Sequence, residues 1–137
     1  LTMLNSLKSF SIVALVMLVA GCSSASSEKQ KQLELLAQSR ANLLATELPL
    51  ESGPLSIMRA SAKGSTIEIM MVYNDDAKGA KPAAQVLNQS IRTYCTTPDT
   101  MNNLEVGISY RIKMRNSRGQ LMADEFVTQQ RCNSLTK

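Results

Sequence analysis

Histidine and tryptophan are absent from this 137-residue chain, and aromatic residues of any kind make up only 4% of it. Without histidine, Ser-His-Asp and Cys-His nucleophilic systems cannot be built, and most zinc sites lose their commonest ligand. The few aromatics cannot interleave with basic residues as a base-stacking platform would require, so nucleic acid is not an expected partner. There are three cysteines, Cys22, Cys95 and Cys132. No apolar run reaches the ~18 to 20 residues of a spanning helix. Carboxylates occur side by side at Asp75-Asp76 and Asp124-Glu125, but adjacent acids on a loop or strand ordinarily face solvent and do not form an acid–base pair. Ser26 and Lys29 match S-x-x-K without the S-D-N or K-T-G that should follow. Around Asn74 to Gly79 a calcium loop would need an acid or amide where Lys78 stands and a glutamate where Gln85 stands. The sequence therefore predicts no enzyme, no metal site, no small-molecule substrate and no cofactor beyond a covalent lipid.

That lipid is read from the first stretch. Phe10 to Ala20 is an apolar run preceded by Lys8 and ending in Leu18-Val19-Ala20-Gly21-Cys22. A short apolar core behind a positive charge, closing on small residues and a cysteine, is a bacterial lipoprotein signal with its lipobox. Residues 1–21 are expected to be cleaved and the Cys22 thiol to be acylated. Several acyl chains hold a protein at a membrane far more firmly than one. Ser23 is not the aspartate associated with inner-membrane retention, which predicts the periplasmic face of the outer membrane. Residues 22–27 read as an acylated Ser-rich tether and 28–137 as a single domain. Cleavage would remove one charge, Lys8, from a chain of net +4, leaving it mildly basic.

With Cys22 acylated, Cys95 and Cys132 remain in an oxidising compartment. They read as a disulfide, the alternative being free or intermolecular thiols. Closing the loop between them would stabilise by roughly 3 to 4 kcal/mol in the chain-entropy picture.

Leu33, Ala37, Ala41, Leu44 and Leu48 recur at helical spacing, with Leu36 and Leu43 widening the stripe, which predicts a helix over about 27–47. Ser52-Gly53-Pro54 breaks it. Leu55 to Ala62 and Thr66 to Tyr73 flank Lys63-Gly64 as a hairpin, and apolar residues on both faces of its second strand predict a covered or central position. A second helix begins near Pro82 and ends around Cys95, with Ala84, Leu87, Ile91 and Tyr94 on one face. Val106, Ile108, Tyr110, Ile112 and Met114 alternate with Gly107, Ser109, Arg111, Lys113 and Arg115, a strand with one buried face, and Gln120 to about Gln129 returns beside it. The expected fold is α+β: a four-stranded antiparallel sheet with helices packed on one face, order α-β-β-α-β-β, one intramolecular disulfide tying the second helix to the last strand. Arg111, Lys113 and Arg115 read as a solvated strand face. Methionines are numerous for the length, and thioethers suit a groove for a partner helix or strand. Met70, Val72 and Phe126 are the expected partner-binding groove, on the sheet face opposite the core.

Gly53 to Ala60, Ile67 to Asn74 with Asp76-Ala77-Lys78, and LEVGISYRIKMRNSRGQLMADEFVTQQRC up to Cys132 together resemble the small pilotin lipoproteins of type II secretion systems, in their β-containing, AspS-like (GspS-beta) branch. The resemblance covers nearly the whole chain after Cys22. It implies a carrier that binds the C-terminal S-domain of a secretin subunit, travels by the lipoprotein-sorting machinery and delivers the secretin to the outer membrane, whose lipid holds the acyl anchor. The alternative expectation is a small periplasmic inhibitor or an envelope-structural lipoprotein, lysozyme-inhibitor-like or a subunit of an assembly machine.

Overall fold

The computed structural model describes residues 25–135. It separates into two compact units, Leu1–Gln32 and Leu33–Lys137. Of the first, the described residues 25–32 are helical and exposed. Ala25, Ser26 and Ser27, expected as tether, are thus part of a helix, α1, that spans 25–45; the signal stretch and Cys22 lie outside the described residues.

In the second unit the elements run from the remainder of α1 through β1 (Leu50–Ser52), β2 (Leu55–Lys63), β3 (Thr66–Tyr73), α2 (Ala83–Thr96), α3 (Pro98–Glu105), β4 (Ser109–Asn116) and β5 (Leu121–Val127) to α4 (Gln129–Leu135). The strands form one five-stranded sheet in the order β1-β2-β3-β4-β5.

The sheet is mixed, which corrects the expected four antiparallel strands. β2–β3 and β4–β5 are hairpins, but β3 and β4 pair in parallel from Thr66↔Ser109 to Tyr73↔Asn116. Two helices lie between them in the chain, enough for a crossover that returns to the starting end of the sheet, and parallel neighbours need such a connection. The fifth strand is the short β1. Ser52-Gly53-Pro54 is a tight turn and not a simple break: Gly53 has φ +59° and lets Leu50–Ser52 fold back on Leu55–Ile57.

Alternation on β3 and β4 is strict. Ile67, Ile69, Met71 and Tyr73 are buried on one face beside Tyr110, Ile112 and Met114, and Val127 completes the layer from β5. Ala37 and Ala41 of α1, Ile91 of α2, Leu104 of α3 and Cys132 of α4 close the core from above. Small residues at 37 and 41 let α1 approach this layer closely. Leu36 packs there too, but Leu43, expected on the same stripe, is 59% exposed. On α2, Leu87, Ile91 and Tyr94 face the core while Ala84 is exposed.

Two further helices occupy stretches for which no element is expected, α3 just before the strand predicted from Val106 and α4 from Gln129 on. α3 has Pro98 in its first turn and Asp99 beside it, and Gly107, at φ +109°, follows its end. Its amide donates to Leu104 O at 3.1 Å and that of Ile108 to Asn103 O at 3.0 Å. Val106, read as the first residue of a strand, instead caps this helix and is 56% exposed. At the other end β5 stops at Val127, and Thr128 accepts the Arg131 amide on its hydroxyl at 3.1 Å to start α4. The disulfide Cys95–Cys132, with Cα atoms 5.4 Å apart, consequently ties α2 to α4 and not to the last strand.

Candidate functional site

On the helical side of the sheet, the layer of helices leaves a gap over the β1 edge. The result is a groove of about 610 Å³. Leu55 and Ile57 of β2 and Met71 and Tyr73 of β3 form its floor, Val86, Ser90, Thr93 and Tyr94 of α2 its wall, and Pro54 and Ala80 parts of its rim. The floor follows from strand alternation, which points every second residue of β2 and β3 to the helical face. The wall follows from helical periodicity, which aligns Val86, Ser90 and Thr93 along α2.

The serine and threonine hydroxyls on this side are bonded within α2 and its end. Ser90 donates to Val86 O at 2.9 Å, Thr93 to Gln89 O at 2.9 Å and Thr97 to Thr93 O at 2.7 Å. Each therefore adds little hydrogen-bonding demand to the groove. Tyr73 donates its hydroxyl to the Lys81 carbonyl and so pins the loop that forms the rim. Burial pushes the Tyr94 phenol well above its ordinary value, and the neighbouring Tyr110, ring centroid 5.0 Å away, adds to the shift. Tyr94 stays neutral at any physiological pH. The groove is thus a mainly apolar slot of a kind suited to the side chains of a docking segment.

The opposite face of the sheet is charged. Glu68 meets Lys63 at 3.3 Å, Lys113 at 3.4 Å and Arg111 at 3.5 Å, and Arg111 also grips both oxygens of Asp124, at 2.6 and 2.7 Å. Burial acts to raise the Glu68 carboxyl, but the bonds and charges of Lys63 and Lys113 prevail and hold it below its usual value. The bond from Arg111 does the same for Asp124.

Met70, Val72 and Phe126 do lie on this face, yet they do not share a groove. Met70 and Val72 are alternate residues of β3, Phe126 is on β5, and the β4 side chains Arg111, Lys113 and Arg115 stand between. The Arg111 guanidinium sits 5.2 Å from the centre of the Phe126 ring. Alternation predicts the face, but it carries no strand order, and so does not show that β4 runs between β3 and β5. Sequence reasoning did not find the groove residues Leu55, Ile57 and Val86 either. Their signal was the apolar alternation at the start of β2, which reads as ordinary core until the gap above it is seen.

Asp76 pairs with Arg118 at 3.0 Å, while Asp124 and Glu125 point to opposite faces of β5, Glu125 pairing with Arg131 at 2.9 Å. Neither acidic doublet converges on a common point. Among the described residues no cluster of three metal-ligating side chains occurs, and no helix is long and apolar enough to cross a membrane.

Residues 29–132 match the family described as Type II secretion system (T2SS) pilotin, S protein. The structure is similar to that of the type II secretion pilotin AspS from Vibrio cholerae, with 63% identity, a TM-score of 0.73 and coverage of 77% of this chain and 97% of that one. The type 2 secretion pilotin EpsS from Vibrio vulnificus is 51% identical, with the same TM-score, covering 77% of this chain and 96% of its own. Pilotin AspS 2 of Escherichia coli O78:H11 is 22% identical over 107 residues, 78% of this chain and 79% of that protein. The chain belongs to the type II secretion system pilotin family. Members of this class deliver a secretin to the outer membrane, a carrier's role to which the groove is suited.

Proposed function

We propose that the groove between α2 and the β1–β2 edge receives the C-terminal S-domain of the secretin subunit, as a short segment with one apolar face. The observation that carries this reading is the slot itself, about 610 Å³ floored by Leu55, Ile57, Met71 and Tyr73, over which no helix lies among the described residues. An amphipathic helix laid there would complete the layer.

Acylation of Cys22 turns such a binder into a carrier. A client held by a membrane-bound protein meets the membrane at the effective concentration set by the tether, not at its bulk concentration. On this reading the lipoprotein-sorting machinery moves the pair, and the outer membrane, on its periplasmic face, is where the protein resides. The lipobox at Leu18 to Cys22 and Ser23 after it support that localisation.

The test is binding of a fluorescent S-domain peptide to the wild-type protein and to Val86→Asp, together with the location of the secretin in cells. A charge on the wall should abolish binding and strand the secretin at the inner membrane while the disulfide-bonded fold is retained. Tight peptide binding by Val86→Asp would move the site elsewhere, and normal secretin multimers in a deletion strain would remove the carrier role.

A further inference from the structure

The sheet face that carries no helices holds the positive surplus of the described chain. Arg59, Lys63, Arg111, Lys113 and Arg115 stand on it against Glu51, Glu68 and Asp124; elsewhere among the described residues acidic and basic side chains are equal in number. The acids are also unevenly placed. Glu68 and Asp124 are taken up by Lys63, Arg111 and Lys113, and Glu51 sits at the edge, on β1.

On this face two cations, Arg59 and Arg115, form no ion pair with an acid among the described residues. Arg59 lies in register with Met70, and Arg115 with Val72, so each basic residue has a half-buried apolar residue as its neighbour across the strand pair. The polar contact of Arg115 is a bond to the Gly119 carbonyl at 2.9 Å, which leaves its charge uncompensated. Long basic side chains beside half-buried apolar residues, on a broad pleated surface instead of a cleft, match the boundary zone of a bilayer, where aliphatic parts lie inward and the charged ends reach phosphate.

We propose that this open face is an electrostatic docking surface for anionic phospholipid headgroups, resting flat on the membrane to which Cys22 is expected to be anchored. The proposal rests on the lipoprotein reading for its purpose, because an anchored domain needs only weak attraction to stay oriented. A client in the groove, on the helical side of the same sheet, would then face away from the bilayer. Surface attraction of this kind is worth about fivefold in affinity for each basic side chain near an anionic leaflet, and it fades as salt shortens the screening length.

The test uses the mature protein from residue 22 onward with Cys22→Ser, so that no acyl chain contributes, sedimented with vesicles of phosphatidylethanolamine and phosphatidylglycerol or of phosphatidylcholine alone. Binding is expected only to the phosphatidylglycerol vesicles, weakening with salt, falling about fivefold in each of Arg59→Gln and Arg115→Gln and rising in Glu51→Gln. Equal binding by all variants, or equal binding to phosphatidylcholine, would overturn the proposal. So would variants that keep vesicle binding but lose the S-domain peptide, which would assign the face to a protein. Palmitate labelling of the wild-type protein separately tests the anchor, so its failure is not confused with failure of the face.

Discussion

The sulfur atoms of Cys95, near the end of α2, and Cys132, within α4, are joined, and they hold together two helices from opposite ends of the β4–β5 hairpin. The bond spans a sequence separation of 37 residues. A cross-link over a loop of that size removes roughly 3 to 4 kcal/mol worth of unfolded-state freedom. Replacing both cysteines by serine should lower stability by about that amount in urea titration, with a steeper slope because the unfolded chain is freed to expand. An unchanged midpoint would show that the α2–α4 contact suffices alone.

Gly107 leaves α3 at φ +109°, and a Cβ there would lie 3.2 Å from Leu33 Cδ2. Alanine would be strained in its backbone and would press on α1 as well. We expect Gly107→Ala to cost about 1 to 3 kcal/mol, read as a lower melting temperature, and Leu33→Ala to relieve part of the loss. If the double variant is no better than the sum of the two, the steric component is absent.

Acid should loosen the open face. Glu68 and Asp124 both have carboxyls held below their ordinary values of 4.5 and 3.8. The folded state therefore binds protons less readily than the unfolded one, so their contribution is intact above those values and lost as pH falls through the lower folded values. Stability measured between neutral pH and pH 3 should drop along this course. Arg111→Gln, which removes the grip on Asp124, should flatten the drop. An equally steep decline in that variant would assign the acid sensitivity to other groups.

Alkali acts through the core. Burial raises the phenols of Tyr94 and Tyr110 above the usual 10.0, with the Asn103 side chain bonded to the Tyr110 hydroxyl at 2.8 Å and opposing part of the latter shift. Here the folded state retains its proton more firmly, so the contribution is complete below pH 10 and declines above it. Ultraviolet titration should show these two phenolates appearing only together with unfolding. Their appearance at pH 10 in a protein that still has its native circular dichroism would contradict the burial.

Much of the fold was legible from periodicity. Strict alternation exposed β3 and β4, and apolar residues on both faces of β3 predicted a covered or central position; it is the middle strand of the five. What periodicity does not encode is direction. Nothing in Val106 to Met114 says whether that strand runs with or against Thr66 to Tyr73; the deciding fact is that Pro98 to Glu105 is a helix, long enough with α2 to carry the chain back. Its signs are a proline in the first turn and a glycine past the end, but its eight residues carry no clear apolar stripe, and so periodicity assigns them no element. The groove was illegible for a different reason. Leu55 and Ile57 look like core residues, and only the absence of a helix above them among the described residues leaves them half-exposed.

The seam between β3 and β4 also governs how the chain is made. In the order of the chain the β2–β3 hairpin is complete two helices before its neighbour arrives, so one full strand edge waits without hydrogen-bond partners until β4 docks. The two hairpins secure one another, and neither half of the sheet is closed until the far one has joined.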